Sequence, residues 1–142
     1  MKLFKKGFTL VELLVTIGVL AVVAAGVVAL IDPRQKLLQG ADSKVLNDIS
    51  QVATAAQAYA AQTGDFPADA TQLGTELTTT PIAPSGYTGY TITPNATTFF
   101  AMGQLKSTRF MEQNCGTGVT FCYYKFYAGR TCFETTSGAS CP

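Results

Sequence analysis

The sequence contains no histidine and no tryptophan, and charged residues make up only 13% of its 142 residues. Histidine is the commonest metal ligand in proteins and the side chain best suited to acid–base chemistry near neutral pH. The sequence also has no glycine-rich phosphate loop and no recognisable pairing of a nucleophile with a base. We therefore expect no enzymatic activity, no catalytic residue and no cofactor.

The chain also lacks a large net charge of either sign, since its formal net charge is +1. Three of the lysines lie in the first six residues, so the rest of the chain is slightly acidic. A chain without a basic field has no general attraction for nucleic acid, which we do not expect as a partner. Four basic residues lie among the aromatic residues of the second half, and we interpret them as solvated charges: Lys106, Arg109, Lys125 and Arg130.

The longest apolar run lies near the amino terminus. Lys5 and Lys6 precede Gly7, the apolar segment starts at Phe8, and residues 13–31 carry no charged side chain. A helix needs about 20 apolar residues to cross a bilayer, so this segment is long enough. Glu12 lies inside it, and a carboxylate in such a segment usually has a function and a partner.

Three interpretations of this terminus compete. A secretory signal would be cleaved after Val23-Ala24-Ala25, but Glu12 would interrupt its apolar region, which continues past that point to Ile31. A plain single-span anchor explains the length and keeps the lysines in the cytoplasm, which places the carboxyl-terminal part outside. Such an anchor gives Glu12 no role.

The third interpretation rests on the run Lys6-Gly7-Phe8-Thr9-Leu10-Val11-Glu12-Leu13. This run resembles the amino terminus of type IV prepilins and type II secretion pseudopilins. The resemblance is specific over residues 5–14 and looser to about residue 67. It implies that prepilin peptidase removes residues 1–7 by cutting between Gly7 and Phe8, and that Phe8 is then N-methylated. It also matches Glu12 to the acidic position of the family.

Cleavage would create a positively charged amine on Phe8, about one helical turn from Glu12. In apolar surroundings each charge is costly alone and tolerable when paired. The pair can form within one chain or between the amine of one subunit and Glu12 of a neighbour. The resemblance implies the second, which sets the register of a growing filament. The alternative is that Glu12 caps the helix, whose dipole favours negative charge at its amino terminus. Both roles are compatible.

After Asp32-Pro33-Arg34, apolar residues recur at steps of three and four, which predicts an amphipathic helix to Thr63 that continues the membrane helix with a kink near Pro33. The predicted apolar face is Leu38, Ala41, Val45, Ile49, Val52, Ala56 and Tyr59, widened by Leu37, Leu46, Ala53 and Ala60. The predicted polar face contains Lys44, Asn47, Asp48, Gln51, Thr54 and Gln62. Gly64 and Pro67 are expected to end the helix.

The remaining residues, 64–142, predict a globular head. Strands are expected over residues 90–93, 97–105, 120–128 and 131–135, with a tight turn at Gly129-Arg130 and a short helical turn near residues 71–77. The fold class is therefore α+β, with a small antiparallel sheet packed on the carboxyl-terminal half of a long helix. The domain order is a leader, 1–7, a membrane and filament-core helix, 8–31, an amphipathic continuation, 32–63, and the head.

All four cysteines lie in the head: Cys115, Cys122, Cys132 and Cys141. An even number behind a membrane-targeting segment indicates disulfides formed in an oxidising compartment. Zinc is the alternative, but the spacing lacks the C-x-x-C pairs of structural zinc sites, and the few acids of this region form no calcium loop. Of three pairings we favour Cys115–Cys122, closing Gly116-Thr117-Gly118, and Cys132–Cys141, fixing the tail.

The sequence thus predicts a structural subunit of a type IV pilus-like filament. The expected partners are other pilin subunits, prepilin peptidase, an inner-membrane assembly platform and, before assembly, the membrane itself. Its precursor would cross the inner membrane once, with the carboxyl terminus outside, and the mature form would lie in an extracellular pilus or a periplasmic pseudopilus. Alternatives are a type II secretion pseudopilin, a minor pilin of DNA uptake and, in another class, a membrane-anchored binding domain.

Overall fold

The computed structural model describes residues 7–74, 76–77 and 79–141. Residues 1–6 of the predicted leader lie outside the described residues. The chain divides into two units, Met1–Arg34 and Gln35–Pro142. Its elements in order are α1 Leu10–Leu30, α2 Pro33–Thr63, α3 Ala70–Leu73, β1 Thr91–Thr93, β2 Phe100–Leu105, α4 Thr108–Cys115, β3 Cys122–Tyr127 and β4 Arg130–Glu134.

The first unit is built on α1, which has 21 residues and buries none of them. By length and composition it is the one helix of the described residues that could cross a membrane. Large apolar side chains point outward around its whole circumference: Leu10, Val11, Leu13, Leu14, Val15, Ile17, Val19, Leu20, Val22, Val23, Val27, Val28 and Leu30. A helix that is apolar all round needs lipid or other protein as its surroundings.

The helical path is interrupted between α1 and α2. Ile31 has an extended backbone with φ −98° and ψ 115°, and α2 begins at Pro33. Proline suits the first helical position, where the missing backbone N–H needs no partner. The backbone N–H of Arg34 donates to Oδ1 of Asp32 at 3.0 Å, which satisfies another free donor of the first turn. The kink expected near Pro33 is therefore a break between two helices.

Helix α2 supplies one wall of the core of the head. Val45, Ile49, Val52 and Ala56, all from the predicted apolar face, have no exposed surface. The helix ends at Thr63, and Gly64 follows with φ +93°, a conformation that glycine adopts without a steric penalty.

Two residues of α2 do not follow the predicted pattern, and a third was assigned to neither face. Asp48 was expected on the polar face and is only 7% exposed, and Asp42, the unassigned residue, has no exposed surface. Leu37, expected to widen the apolar face, is 76% exposed. Periodicity assigns a carboxylate to solvent by default, but both aspartates are paired with hydrogen-bond donors of the head, and pairing makes their burial tolerable.

The sheet is a four-stranded antiparallel meander in the order β1-β2-β3-β4. Gly103 of β2 faces α2 closely, because a Cβ at this position would lie 2.4 Å from Cγ1 of Val45. The core lies between this face and α2, with rings of Phe66, Phe99 and Phe126 in mutual contact. The α+β fold class and the packing of the sheet on the second helix are confirmed.

The strand limits differ slightly from the prediction. Strand β2 starts at Phe100 rather than at residue 97, because Oδ1 of Asn95 accepts a bond from the backbone N–H of Thr97 and turns the chain there. The turn before β4 is Ala128-Gly129, with φ 47° and 88°, and not Gly129-Arg130. Arg130 already pairs with Tyr127.

Helix α4 was not predicted. Oγ of Ser107 accepts a bond from the backbone N–H of Phe110, and Gly116 follows the last residue with φ 100°. Phe110, Met111 and Cys115 pack against the core. A serine amino-terminal cap and a glycine at the carboxyl end are the signals that could have identified this helix.

Two disulfides close the head, in the pairing favoured from the sequence. Cys115 and Cys122 join the end of α4 to the start of β3, with their Cα atoms 5.9 Å apart. Cys132 and Cys141 join β4 to the carboxyl-terminal residues, at 5.8 Å. The described residues contain no free cysteine.

Candidate processing and assembly site

The peptide bond expected to be cut lies ahead of the first helix. Gly7, Phe8 and Thr9 are non-helical and exposed, and Phe8 is 71% exposed. A Cβ added to Gly7 would contact no other atom within 4 Å. On the side that the structure describes, the expected cleavage point therefore lies in an exposed segment outside any helix.

Glu12 and Thr9 form a capping box at the start of α1. Oγ1 of Thr9 accepts a bond from the backbone N–H of Glu12 at 3.2 Å, and Oε2 of Glu12 accepts from the backbone N–H of Thr9 at 3.4 Å. The hydroxyl of Thr9 also donates to Oε2 of Glu12 at 3.2 Å. In the uncut chain the carboxylate therefore caps the helix and starts it at Leu10.

The structure places Thr9, which sequence reasoning had left without a role, against Glu12. The order Thr9-Leu10-Val11-Glu12, a threonine followed three residues later by a glutamate, is the signal that could have identified the box. The expected pairing of Glu12 with Phe8 is a different interaction. It requires cleavage first, because the nitrogen of Phe8 is an uncharged amide as long as Gly7 is attached.

Residues 3–28 match the family model of the prokaryotic N-terminal methylation motif. The chain carries the type IV prepilin and pseudopilin signal. The prepilin-type signal includes Gly7, Phe8 and Glu12 and ends within α1, so it leaves the head unmatched. Comparison with curated proteins and with solved structures finds no match to the chain.

The head contains a group of polar side chains that sequence reasoning missed. Asp42 accepts bonds from the hydroxyl of Tyr87 at 2.7 Å and from the backbone N–H groups of Lys106 and Ser107 at 2.9 and 2.8 Å. One carboxylate thus joins α2, the segment before β1 and the start of α4. These three donors offset the free-energy cost of burying the Asp42 carboxylate completely.

Asp48 has a similar position two turns further along α2. Its Oδ2 accepts from the hydroxyl of Tyr90 at 2.6 Å and forms an ion pair with Lys44, whose Nζ also donates to the carbonyl of Ile82. Burial, and then the adjacent carboxylates, raise the pKa of Tyr87 and that of Tyr90. These contacts fix residues 82–90 on α2.

An open groove of about 620 Å³ lies between α2 and the segment after α3. Amide, hydroxyl and small apolar side chains line it, together with Glu76, whose Oε1 accepts a bond from Nε2 of Gln62 at 3.0 Å. This lining places no nucleophile beside a base. Among the described residues no group of three or more histidine, cysteine, aspartate or glutamate side chains is arranged to hold a metal ion.

Proposed function

We propose that the chain is the precursor of a structural subunit of a type IV pilus-like filament. The observation that carries the proposal is the prepilin-type signal, followed by a helix whose apolar surface has no partner among the described residues of its unit. Lipid covers such a helix before assembly, and after extraction only the same helix of other subunits can cover it. Small residues that allow close helix packing recur along it: Ala21, Ala24, Ala25, Gly26 and Ala29.

In this proposal prepilin peptidase cuts between Gly7 and Phe8 at the cytoplasmic side, and Phe8 becomes the N-methylated terminus. The freed amine of Phe8 then binds Glu12 of a neighbouring subunit at the assembly platform. Glu12 is engaged by Thr9 in the uncut chain, so cleavage changes its partner. The head crosses to the outer side, where its two disulfides suit an oxidising compartment.

The test is to measure membrane insertion and filament yield for variants of Glu12. Glu12→Ala should insert normally and lose at least about tenfold in sheared filaments, because the buried amine of Phe8 is left unpaired. Glu12→Gln, which keeps a side chain able to form the capping box, should show the same loss since the charge is gone.

Thr9→Ala is the matched control. It breaks the same capping box and keeps the carboxylate, so filaments should form. Normal filament yield from both Glu12 variants would contradict the pairing, and loss of filaments in Thr9→Ala alone would assign the effect to helix capping. Monomers that stay in the membrane with the Gly7–Phe8 bond uncut would contradict the filament function itself.

A pseudopilin of type II secretion and a minor pilin of DNA uptake share the same signal and remain alternatives. An anchored binding domain remains the alternative of another class, favoured by the groove beside Glu76. Filaments visible by electron microscopy on sheared cells, composed of this chain, distinguish a filament subunit from an anchored monomer.

A further inference from the structure

Lys125 lies in β3 and has no exposed surface, although it is not on the face of the sheet that packs against α2. Gly103 and its partner Tyr124 are on the face toward α2. Successive side chains of a strand point to opposite faces, so Lys125 lies on the other, outer face. Something other than the core must therefore cover it.

The cover is the C-terminal tail, residues 135–141. Cys132 is the cross-strand partner of Lys125, so it lies on the same outer face, and its disulfide to Cys141 brings the end of the tail there. Between these ends the carbonyl of Gly138 accepts a bond from Nζ of Lys125 at 2.8 Å. The tail therefore passes over the amine.

The tail has few other contacts with the rest of the head. Residues 135–140 are all exposed and have no side chain larger than threonine, so they bury no apolar anchor. Within the part of the chain that the structure describes, the tail is attached to the sheet by the Cys132–Cys141 disulfide and by the bond from Lys125 to Gly138. A segment with so few attachments opens at low free energy once one of them is removed.

We propose that the C-terminal tail is a redox-sensitive cover: the Cys132–Cys141 disulfide holds it closed over Lys125, and reduction by a dithiol opens it. In that step the bond between the two sulfur atoms breaks, and the dithiol passes two electrons and two protons to them. Two cysteine thiols form, and the dithiol closes to its own disulfide. The proposal does not depend on filament assembly.

Opening of the tail would also improve the solvation of the Lys125 amine. Burial lowers the pKa of Lys125, and the negative charge of Glu134 only partly opposes this effect. Exposure to water restores the stability of the charged amine, so the solvation of this charge favours the open tail. The disulfide is then the attachment that decides whether the cover stays closed.

The experiment measures acylation of individual lysines by an N-hydroxysuccinimide ester of acetate, with the full chain in detergent and peptides quantified by mass spectrometry. Lys106 is the internal control, because its Nζ also donates to a backbone carbonyl, that of Gly86, but from an exposed side chain. In the oxidised protein Lys125 should react at least about tenfold more slowly than Lys106.

The double variant Cys132→Ser/Cys141→Ser should bring the acylation rate of Lys125 to within about threefold of that of Lys106. The matched control Cys115→Ser/Cys122→Ser removes the other disulfide and should leave Lys125 protected. Where a variant loses its cooperative thermal transition, the wild type is reduced mildly by dithiothreitol and alkylated. Peptide mapping then identifies the molecules that are alkylated at residues 132 and 141 alone, and the acylation of Lys125 is measured in these.

Two results would overturn the proposal. Lys125 that stays protected in the species lacking the Cys132–Cys141 bond would show that another segment covers it. Lys125 that reacts as fast as Lys106 in the oxidised protein would show that the tail does not cover it at all.

Discussion

At the scale of single residues, the head depends on two buried carboxylates. Asp42 and Asp48 replace apolar contacts with directed hydrogen bonds to segments far away in sequence. A buried acid with several donors specifies one arrangement of its partners, since every other arrangement leaves a charge unpaired.

Asp42→Asn should lower the free energy of unfolding by about 3 kcal/mol, because an amide cannot accept from all three donors and its own N–H groups would face backbone N–H groups. Urea unfolding followed by circular dichroism measures the change. Asp65→Asn is the control, since Asp65 is exposed, and it should change stability by less than about 0.5 kcal/mol. Equal effects of the two substitutions would contradict the role of Asp42.

The raised pKa values of Tyr87 and Tyr90 make the stability of the head depend on alkaline pH. Above their ordinary pKa of 10.0 these tyrosines keep their protons in the folded chain and lose them in the unfolded chain. The folded state then binds more protons, so the free energy of unfolding should fall as pH rises beyond about 10.

Urea titrations at pH 9.5 and 11 measure this fall, which should be smaller in Tyr87→Phe and Tyr90→Phe than in the wild type. Tyr127→Phe is the control, because the hydroxyl of Tyr127 has no carboxylate partner in the described part of the chain. An unchanged pH dependence in all three variants would rule out Tyr87 and Tyr90 as its source.

At the scale of elements, the two long helices differ in how many of their side chains are buried. Helix α1 is capped by Thr9 and Glu12 and has no buried residue, whereas α2 buries one face against the sheet.

The sheet depends on the conformation of its turns, and the β3–β4 turn contains Ala128 with φ 47°. A left-handed conformation is unfavourable for alanine and better tolerated by asparagine.

Ala128→Asn should therefore stabilise the head by about 0.5–1 kcal/mol, since Asn-Gly is a preferred sequence for a two-residue hairpin turn. Ala128→Val should destabilise it, because a branched Cβ is least tolerated at positive φ. Thermal unfolding of both variants beside the wild type measures the two shifts. Shifts of the same sign would show that backbone conformation at residue 128 does not control this turn.

At the scale of the whole molecule, the buried core residues all come from Asp42 onward. The described residues of the first unit, 7–34, contribute none of them. The stability of the head should therefore be independent of the membrane segment, although the assembly function requires that segment.

A chain that begins at Asp32 should fold as a soluble monomer with both disulfides and with nearly the same urea midpoint as the full chain in detergent. Size-exclusion chromatography and thiol quantification under denaturing conditions measure the two properties. Aggregation, or a large loss of stability, would show that α1 supports the head. The same chain should form no filaments, because the prepilin-type signal is missing.

The sequence by itself determined the membrane-length helix, the processing signal around Gly7 and Glu12, the apolar face of α2 and the strands of a small antiparallel sheet. These features are local or periodic, so the order of side chains is enough to predict them. The disulfide pairing favoured from the sequence, one of three possible, is also the one in the structure.

Only the tertiary structure decided which polar residues are buried. Asp48 and Lys125 read as solvent-facing charges in the sequence, and Asp42 is assigned to neither face of α2, because periodicity reports only the average preference of a residue type. Their burial depends on donors and acceptors brought from distant segments, namely Ser107, Tyr90 and Gly138. Such contacts exist only once the chain has folded, which is why no local pattern predicts them.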